Sequence, residues 1–469
     1  MMKYDNKSDV AKLFINDNEI VETIYDARQL AKEKNEVLQI IKKAGKYEGL
    51  TYKEAAVLSY VEDEDLLEQM FETSRRIKEH IYGNRIVMFA PLYLSDYCVN
   101  ECRYCAFHHS GIQKRRKLTQ EEIVEQVKVL EKMGHKRLAL ETGEDPVNSS
   151  IDYLLESIKT IYSIKADNGE IRRVNVNIAA TTVENYKKLK EAGIGTYILF
   201  QETYHLPTYE YMHPKGPKSN YEYHTTAHDR AMQAGIDDVG LGVLYGLYDW
   251  HYDLVGQIMH AEHLEAVYGV GPHTLSMVRI RDAGDIKKTD YEHAVSDPDF
   301  KKIVAILRMT VPYTGMILST REAGTFRNEV IDLGISQVSA GSCTSVGGYT
   351  ETKQQPQFEI EDHRTPVEVT KDLIGKGYIP SFCTACYRQG RTGDRFMRLA
   401  KNGQIGNICQ PNALITLKEY AEDYGDAEFQ HMAEELISNE LEKIPSDTVR
   451  EQTSEYLKKI ERGERDFRF

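Results

Sequence analysis

The chain is 469 residues long, more than one ordinary domain needs, which implies a large core with one or two additions. Its 59 Lys and Arg against 73 Asp and Glu leave a formal charge of −14 with no basic block, which disfavours nucleic acid as a partner because that affinity comes mainly from neutralising phosphates. No apolar run approaches the ~20 residues of a membrane helix, and the N-terminus MMKYDNKSDVAKLF has no apolar signal core, so a soluble cytoplasmic protein off the membrane is expected.

Residues 1–84 read as helical, with charged and apolar residues alternating at helical spacing in DARQLAKEKNEVLQIIKKA and EDEDLLEQMFETSRRIKEHI, and Asp63 is a candidate N-cap. From about residue 85 the pattern changes to eight short apolar runs: RIVMFAPLYL, HKRLALET, RRVNVNIAA, TYILFQET, DVGLGVLYG, HTLSMVRI, YTGMILST and ISQVSAG. Amphipathic stretches such as TQEEIVEQVKVLEKMG and TVENYKKLKEAG separate them, several closing on Gly as helix C-termini do. Eight strand–helix units predict an α/β chain whose parallel strands close into a (β/α)8 TIM-type barrel over residues 85–365; an open doubly wound sheet is the alternative. After about residue 365 that rhythm stops, and residues 366–469 read as a mainly helical appended domain with its own cysteines. The polar segment GGYTETKQQPQFEIEDHRTP between the two is the expected flexible stretch.

Six of the seven cysteines fall into two groups, which points to metal binding in a reducing compartment rather than to disulfides. Cys98, Cys102 and Cys105 have the spacing C-x3-C-x2-C just after the first predicted strand, at the barrel face where such folds do chemistry. Three thiolates so spaced can hold a cubane of four irons and leave one iron open, although C-x2-C alone also occurs in zinc modules. Cys383 and Cys386 form a second C-x2-C, followed by Cys409. With no Cys or His between Cys386 and Cys409, a second iron–sulfur cluster is favoured over zinc, which would need a remote fourth ligand.

C-x3-C-x2-C with Tyr104 before its last cysteine resembles the signature of the radical S-adenosylmethionine (SAM) family. The resemblance implies that Cys98, Cys102 and Cys105 hold a 4Fe–4S cluster whose fourth iron chelates SAM, which on one-electron reduction yields a 5′-deoxyadenosyl radical. It also implies that Tyr104 neighbours the adenine. The segment ETGEDP ending the second predicted strand is similar to the family's Gly-Gly-Glu contact with the SAM amino group, carried here by Thr142, Gly143 and Glu144 with Thr in place of the first Gly. Asn175 and Asn177 in NVNIAATT, and Gln201, Glu202, Thr203 and Tyr204 in FQETY, end the third and fourth strands and are expected to face the same cavity. Arg230 could pair with the SAM carboxylate or be an ordinary solvated helix charge.

The phrases CTACYRQGRTGDRFM and CQPNALITLKEY, behind a barrel carrying FQETY, narrow the resemblance to the tyrosine-cleaving maturases of iron-only hydrogenase. This implies cleavage of L-tyrosine to p-cresol and dehydroglycine, then formation of carbon monoxide and cyanide at an auxiliary cluster with an additional labile iron. The diatomics would leave on an iron–cysteine complex for downstream maturation proteins, and an electron donor would feed the first cluster. In ILSTREAG, Arg321 and Ser319 are expected to hold the tyrosine carboxylate, since an amino acid's carboxylate calls for a bidentate Arg and a cation at a helix N-terminus opposes the dipole. The family's labile iron is bound partly by a His; His260, His263 and His273 are candidates, with His273 preferred because it directly precedes the sixth strand. Cys343 has no partner in either triplet and reads as a small buried hydrophobe, and His108 and His109 as loop residues. Two other functions fit parts of the sequence: a tyrosine lyase of thiamine thiazole synthesis, which lacks the second triplet, and a non-catalytic iron–sulfur scaffold, which needs neither ETGEDP nor STRE.

Overall fold

A computed structural model describes residues 3–166, 168–351, 355–401 and 404–469. Thr352, Lys353 and Gln354 of the expected flexible stretch lie outside the described residues. Five helices precede the first strand, the longest of them Glu64–Tyr82. Local chemistry sets their ends: the Asp63 carboxylate accepts from Leu66 N at 3.0 Å, and Thr51 and Glu54 form a reciprocal capping box.

All eight expected strands are present: β1 Arg85–Ser95, β2 Arg137–Thr142, β3 Arg173–Asn177, β4 Tyr197–Glu202, β5 Val239–Tyr245, β6 Thr274–Arg279, β7 Gly315–Leu318 and β8 Gln337–Ser339. Each pairs in parallel with the next, and β1 pairs with both β2 and β8, so the sheet closes into a barrel rather than staying open. A ninth strand, β9 Ile379–Ser381, was not expected from the sequence. It is three residues long and comes from the region read as a separate domain, where so short an apolar run carries no periodicity. It pairs in parallel with Arg85–Val87 at the start of β1, which ties the C-terminal region to the N-terminal end of the strands. The long helix Gly406–Tyr424 packs on it, with Phe382 stacked on Tyr420 at 4.3 Å.

The barrel interior alternates along each strand. On β1, Val87, Phe89, Pro91 and Tyr93 line internal cavities, whereas Ile86, Met88, Ala90, Leu92 and Leu94 are buried in the outer apolar core. Small residues make room: a Cβ on Gly242 would fall 2.4 Å from the Phe200 ring. Beneath β7, the fully buried Arg308 ties together three turns by donating to the carbonyls of Pro312, Thr314 and Gly334 at 2.6–3.1 Å. Stranding a buried carbonyl costs ~1–3 kcal/mol, so Arg308→Met should lower stability by about 3 kcal/mol or more. Denaturant unfolding of the full chain should show an earlier midpoint; an unchanged midpoint would mean these turns hold without it.

Candidate active site

At the C-terminal end of the strands a cavity of about 150 Å³ is lined by Cys98, Cys102 and Cys105 on one side and by Thr142, Gly143, Glu144, Asn177, Glu202 and Arg321 among its other walls. The cysteines sit on the loop that leaves β1, and the end of β2 braces that loop. Val99 N donates to Glu144 O at 2.8 Å, Asn100 Nδ2 to the Glu144 carboxylate at 2.6 Å, and Gly143 N to Ser95 O at 2.9 Å. A Cβ on Gly143 would lie 2.3 Å from Tyr97 O and 3.1 Å from Cys98 Cβ, so glycine is what lets the strand end approach the loop. Burial pushes the Cys105 thiol up to about 11 and Cys102 further, each raised also by neighbouring thiols. Such thiols ionise when a metal takes the proton's place.

The opposite wall is charged and tightly fixed. Glu202 adopts φ +70°, a strained conformation for a residue with a side chain, where the β4–β5 register slips. Its carboxylate pairs with Lys218 Nζ at 2.7 Å. Burial opposes the Lys218 charge, but Glu202 and Cys102 outweigh it and raise its pKa. Tyr104 donates to His213 Nε2 at 2.7 Å; His213 Nδ1 is bonded to the Tyr209 carbonyl at 2.7 Å, which fixes this tautomer.

Deeper in the barrel a second cavity of about 100 Å³ shares Glu141, Asn177, Phe200, Arg321, Gln357 and Phe358 with the first, and Ser319 joins its wall. The Arg321 guanidinium is stacked 3.4 Å from the Phe358 ring centroid, and its Nε has no hydrogen-bond partner. A buried guanidinium with spare donors facing a cavity fits an incoming carboxylate. Burial raises Glu141 to about 8, opposed by Arg321 and Asn177, so below that pH it is neutral and can donate a hydrogen bond.

At the N-terminal end a third cavity of about 100 Å³ is lined by Cys383, Cys386, Cys409 and His273. Cys383 sits on the turn after β9, Cys386 in the short helix Ala385–Arg388, Cys409 in the helix Gly406–Tyr424, and His273 directly before β6. Ala385 N donates to Cys383 Sγ at 3.3 Å, and Arg137 donates to the Cys383 carbonyl at 2.9 Å. His273 Nδ1 lies 3.4 Å from Asp238 Oδ1 but makes no hydrogen bond, and its Nε2 is 3.4 Å from the Tyr387 hydroxyl. Among the described residues no three His, Cys, Asp or Glu side chains converge closely enough to hold a single metal ion. Each triplet lines the wall of its own cavity.

The structure thus brings most of the expected residues to three points along the barrel axis. Arg230 is not among them: its guanidinium is bound to the carbonyls of Thr181, Tyr223 and Thr226 and stacked on Tyr223, away from the cavities. Of FQETY, only Phe200 and Glu202 face inward. Gln201 bonds Thr225, Thr203 bonds Asp253 and Tyr204 bonds His260, all in the helical layer: Gln201 points outward between two inward residues because side chains alternate along a strand, and the chain has left β4 by Thr203. Asn175 bonds Thr196 N rather than lining a cavity. His260 and His263 lie outside the barrel, the latter bonded to Asp229 and to the Asn6 carbonyl. Cys343 contacts Ser345 Oγ at 3.2 Å, and His108 and His109 bond carbonyls of the cysteine loop. Sequence alone missed Lys218 and Glu141, and missed Gln357 and Phe358 in the stretch expected to be flexible. Glu141 was detectable, being two residues before Gly143 on the inward phase of β2.

The Radical SAM superfamily model matches residues 92–260, and the Biotin and Thiamin Synthesis associated domain matches residues 276–379. A 2-iminoacetate synthase of Salmonella typhimurium is 32% identical over 67% of this chain and 82% of its own length. A crystal structure of HydG, a maturase of the FeFe-hydrogenase, superposes with TM-score 0.95 at 62% identity, covering 97% of this chain and 100% of that one. HydG from Carboxydothermus hydrogenoformans superposes with TM-score 0.82 at 39% identity, covering 95% and 99%. Barrel, cysteine loop and family match together define a radical SAM enzyme, the class that carries a 4Fe–4S cluster and SAM. Within that class the chain belongs to the HydG family of FeFe-hydrogenase maturases.

Because Gly143 sets the approach of β2 to the cysteine loop, Gly143→Ala should displace Cys98. Iron bound at the first triplet, read by metal content and by the reduced-cluster EPR signal, should fall by at least half, with the C-terminal site unaffected. Full first-cluster loading in the variant would show that the loop can give way.

Proposed function

We propose that this enzyme cleaves L-tyrosine to p-cresol and dehydroglycine and converts dehydroglycine to carbon monoxide and cyanide on iron for hydrogenase cofactor assembly. The observation that carries the proposal is the alignment of three cavities inside one closed barrel, with a cysteine triplet at each end and an unpaired arginine between them. The 2-iminoacetate synthase relatives support the first half, since their name specifies dehydroglycine as product. The HydG structures support the second.

Cys98, Cys102 and Cys105 would hold the cluster, and SAM bound to its open iron supplies a 5′-deoxyadenosyl radical. Thr142, Gly143, Glu144, Asn177 and Glu202 line the wall where SAM would sit, with Tyr104 beneath it on the cluster loop. Arg321 and Ser319 would grip the substrate carboxylate one layer deeper, which brings the amino group toward the first cavity. Holding one hydrogen atom at near-contact distance is what decides the outcome of so reactive a radical, and the closed barrel keeps water from it. Glu141, neutral below about pH 8, can donate to the bound amino acid beside Arg321. Cys383, Cys386 and Cys409 would hold an auxiliary cluster, with His273 a ligand for the labile iron and free cysteine a further one.

Anaerobic turnover with SAM, tyrosine and a strong reductant, with p-cresol, carbon monoxide and cyanide all measured, tests the whole. Cresol without either diatomic would confine the protein to tyrosine cleavage. Arg321→Lys should lower p-cresol formation by about a hundredfold while both clusters stay loaded, because a point charge cannot replace a bidentate fork; undiminished cresol would remove Arg321 from the site. His273→Ala should abolish carbon monoxide release and spare cresol. Equal loss of both would speak against a ligand role.

A further inference from the structure

On the N-terminal side a cleft of about 620 Å³ opens between the helix Glu64–Tyr82, the turn before β9 and the start of the helix Gly406–Tyr424. It adjoins the C-terminal cysteine triplet: Arg85 and Ile405 line both the cleft and the third cavity. Arg85 Nη1 donates to Gln410 Oε1 at 2.8 Å, and Gln410 follows Cys409 in the chain. The guanidinium therefore forms the partition between the cleft and the thiols.

Basic side chains gather at the cleft in a chain of charge −14. Five basic side chains line it, Arg75, Lys78, Arg85, Lys376 and Lys443. Most of these cations are already paired: Arg75 with Asp332, Lys376 with Asp372, Lys443 with Glu440. Lys78 is not. It is 3% exposed, makes no ion pair or hydrogen bond among the described residues, and rests its ammonium 4.1 Å over the Tyr378 ring. A buried ammonium without a carboxylate is costly, and the cation–π contact offsets only part of that cost. Burial accordingly lowers Lys78 to about 7; Asp332 and Glu79 draw it back up and Arg308 pushes it further down. His80 also faces the cleft, and the Tyr378 hydroxyl beneath the ammonium is committed to Asp332 at 3.2 Å.

We propose that this cleft is a binding site for a small carboxylate, anchored by Lys78, and serves as the outer vestibule of the C-terminal cysteine site. A lone ammonium suits the carboxylate of a small anion. The vestibule role rests on iron being held at the triplet; the binding does not. An anion settling on Lys78 gives the ammonium the carboxylate it lacks among the described residues, and Arg85 stands between it and the thiols.

Malonate is the probe, titrated calorimetrically into the full-length holoprotein in buffers of different ionisation enthalpy. At about pH 8.5 malonate is fully ionised and the free Lys78 side chain mostly neutral, so binding should take up close to one proton, and at about pH 7 only about half of one. Lys78→Met should weaken malonate at least tenfold while raising the melting temperature, because an apolar side chain of similar volume replaces an unpaired buried charge. A merely structural lysine would instead lower it. Lys78→Arg should bind malonate without proton uptake, which keeps the test open if the Met variant folds poorly. Unchanged affinity in either the Met variant or the proton balance would overturn the site, and phosphate binding more tightly than malonate would overturn the carboxylate class. Malonate should also slow removal of C-terminal iron by an anionic chelator at least threefold in the wild type and not in Lys78→Met. Binding with no such slowing would overturn the vestibule role alone.

Discussion

The rest of the structure depends on the closure of the sheet at β1. This strand is eleven residues long, about twice the length of most of its neighbours. One edge takes β8 along Val87–Phe89. The other takes β9 along Arg85–Val87 and β2 along Ala90–Ser95, end to end. One rigid strand thus closes the barrel and places a cysteine loop at each end of it: Cys98 follows its C-terminus, and Cys383 follows the strand paired to its N-terminus. The separation of the two sites is set by strand rise, ~3.3 Å per residue, and not by a flexible hinge between domains.

Between those ends the interior carries charge where a barrel of this size usually carries branched aliphatics. Glu141, Asn177, Glu202, Lys218 and Arg321 line cavities that the closed wall shields from water. A low dielectric magnifies each charge, so the pairs that exist are short and the groups left over are strongly perturbed. Glu202 and Lys218 satisfy one another; Arg321 and Glu141 do not, and both face the middle cavity. Lys78 repeats the pattern outside the barrel, a cation buried against an aromatic ring beside the second triplet. Polar groups left incompletely paired at such cost mark where a ligand completes the set.

Much of this was legible in the sequence. Apolar runs of strand length between amphipathic helices specified the eight strands, and C-x3-C-x2-C and C-x2-C specified two donor sets by local spacing alone. Asp63 was readable as a cap because capping depends only on the next three residues. Strand ends were readable as cavity walls in bulk, but not side chain by side chain. In FQETY a one-residue uncertainty in register exchanges inward for outward, which is why Glu202 lines the cavity and Gln201 does not, while Thr203 and Tyr204 lie beyond the end of β4.

Local order in the chain determined which residue types could bind metal, where the strands and helices begin, and that the strands would lie parallel. Only tertiary packing decided which groups meet. It turned Arg230 onto backbone carbonyls, brought Lys218 to Glu202, folded Gln357 and Phe358 over the barrel mouth, chose His273 over His260 and His263 as neighbour of the second triplet, and laid β9 against β1. Apart from the Arg230 bonds to Tyr223 and Thr226, those contacts join residues from 16 to nearly 300 positions apart. No periodicity or short motif encodes them, because their energy exists only once the barrel has closed.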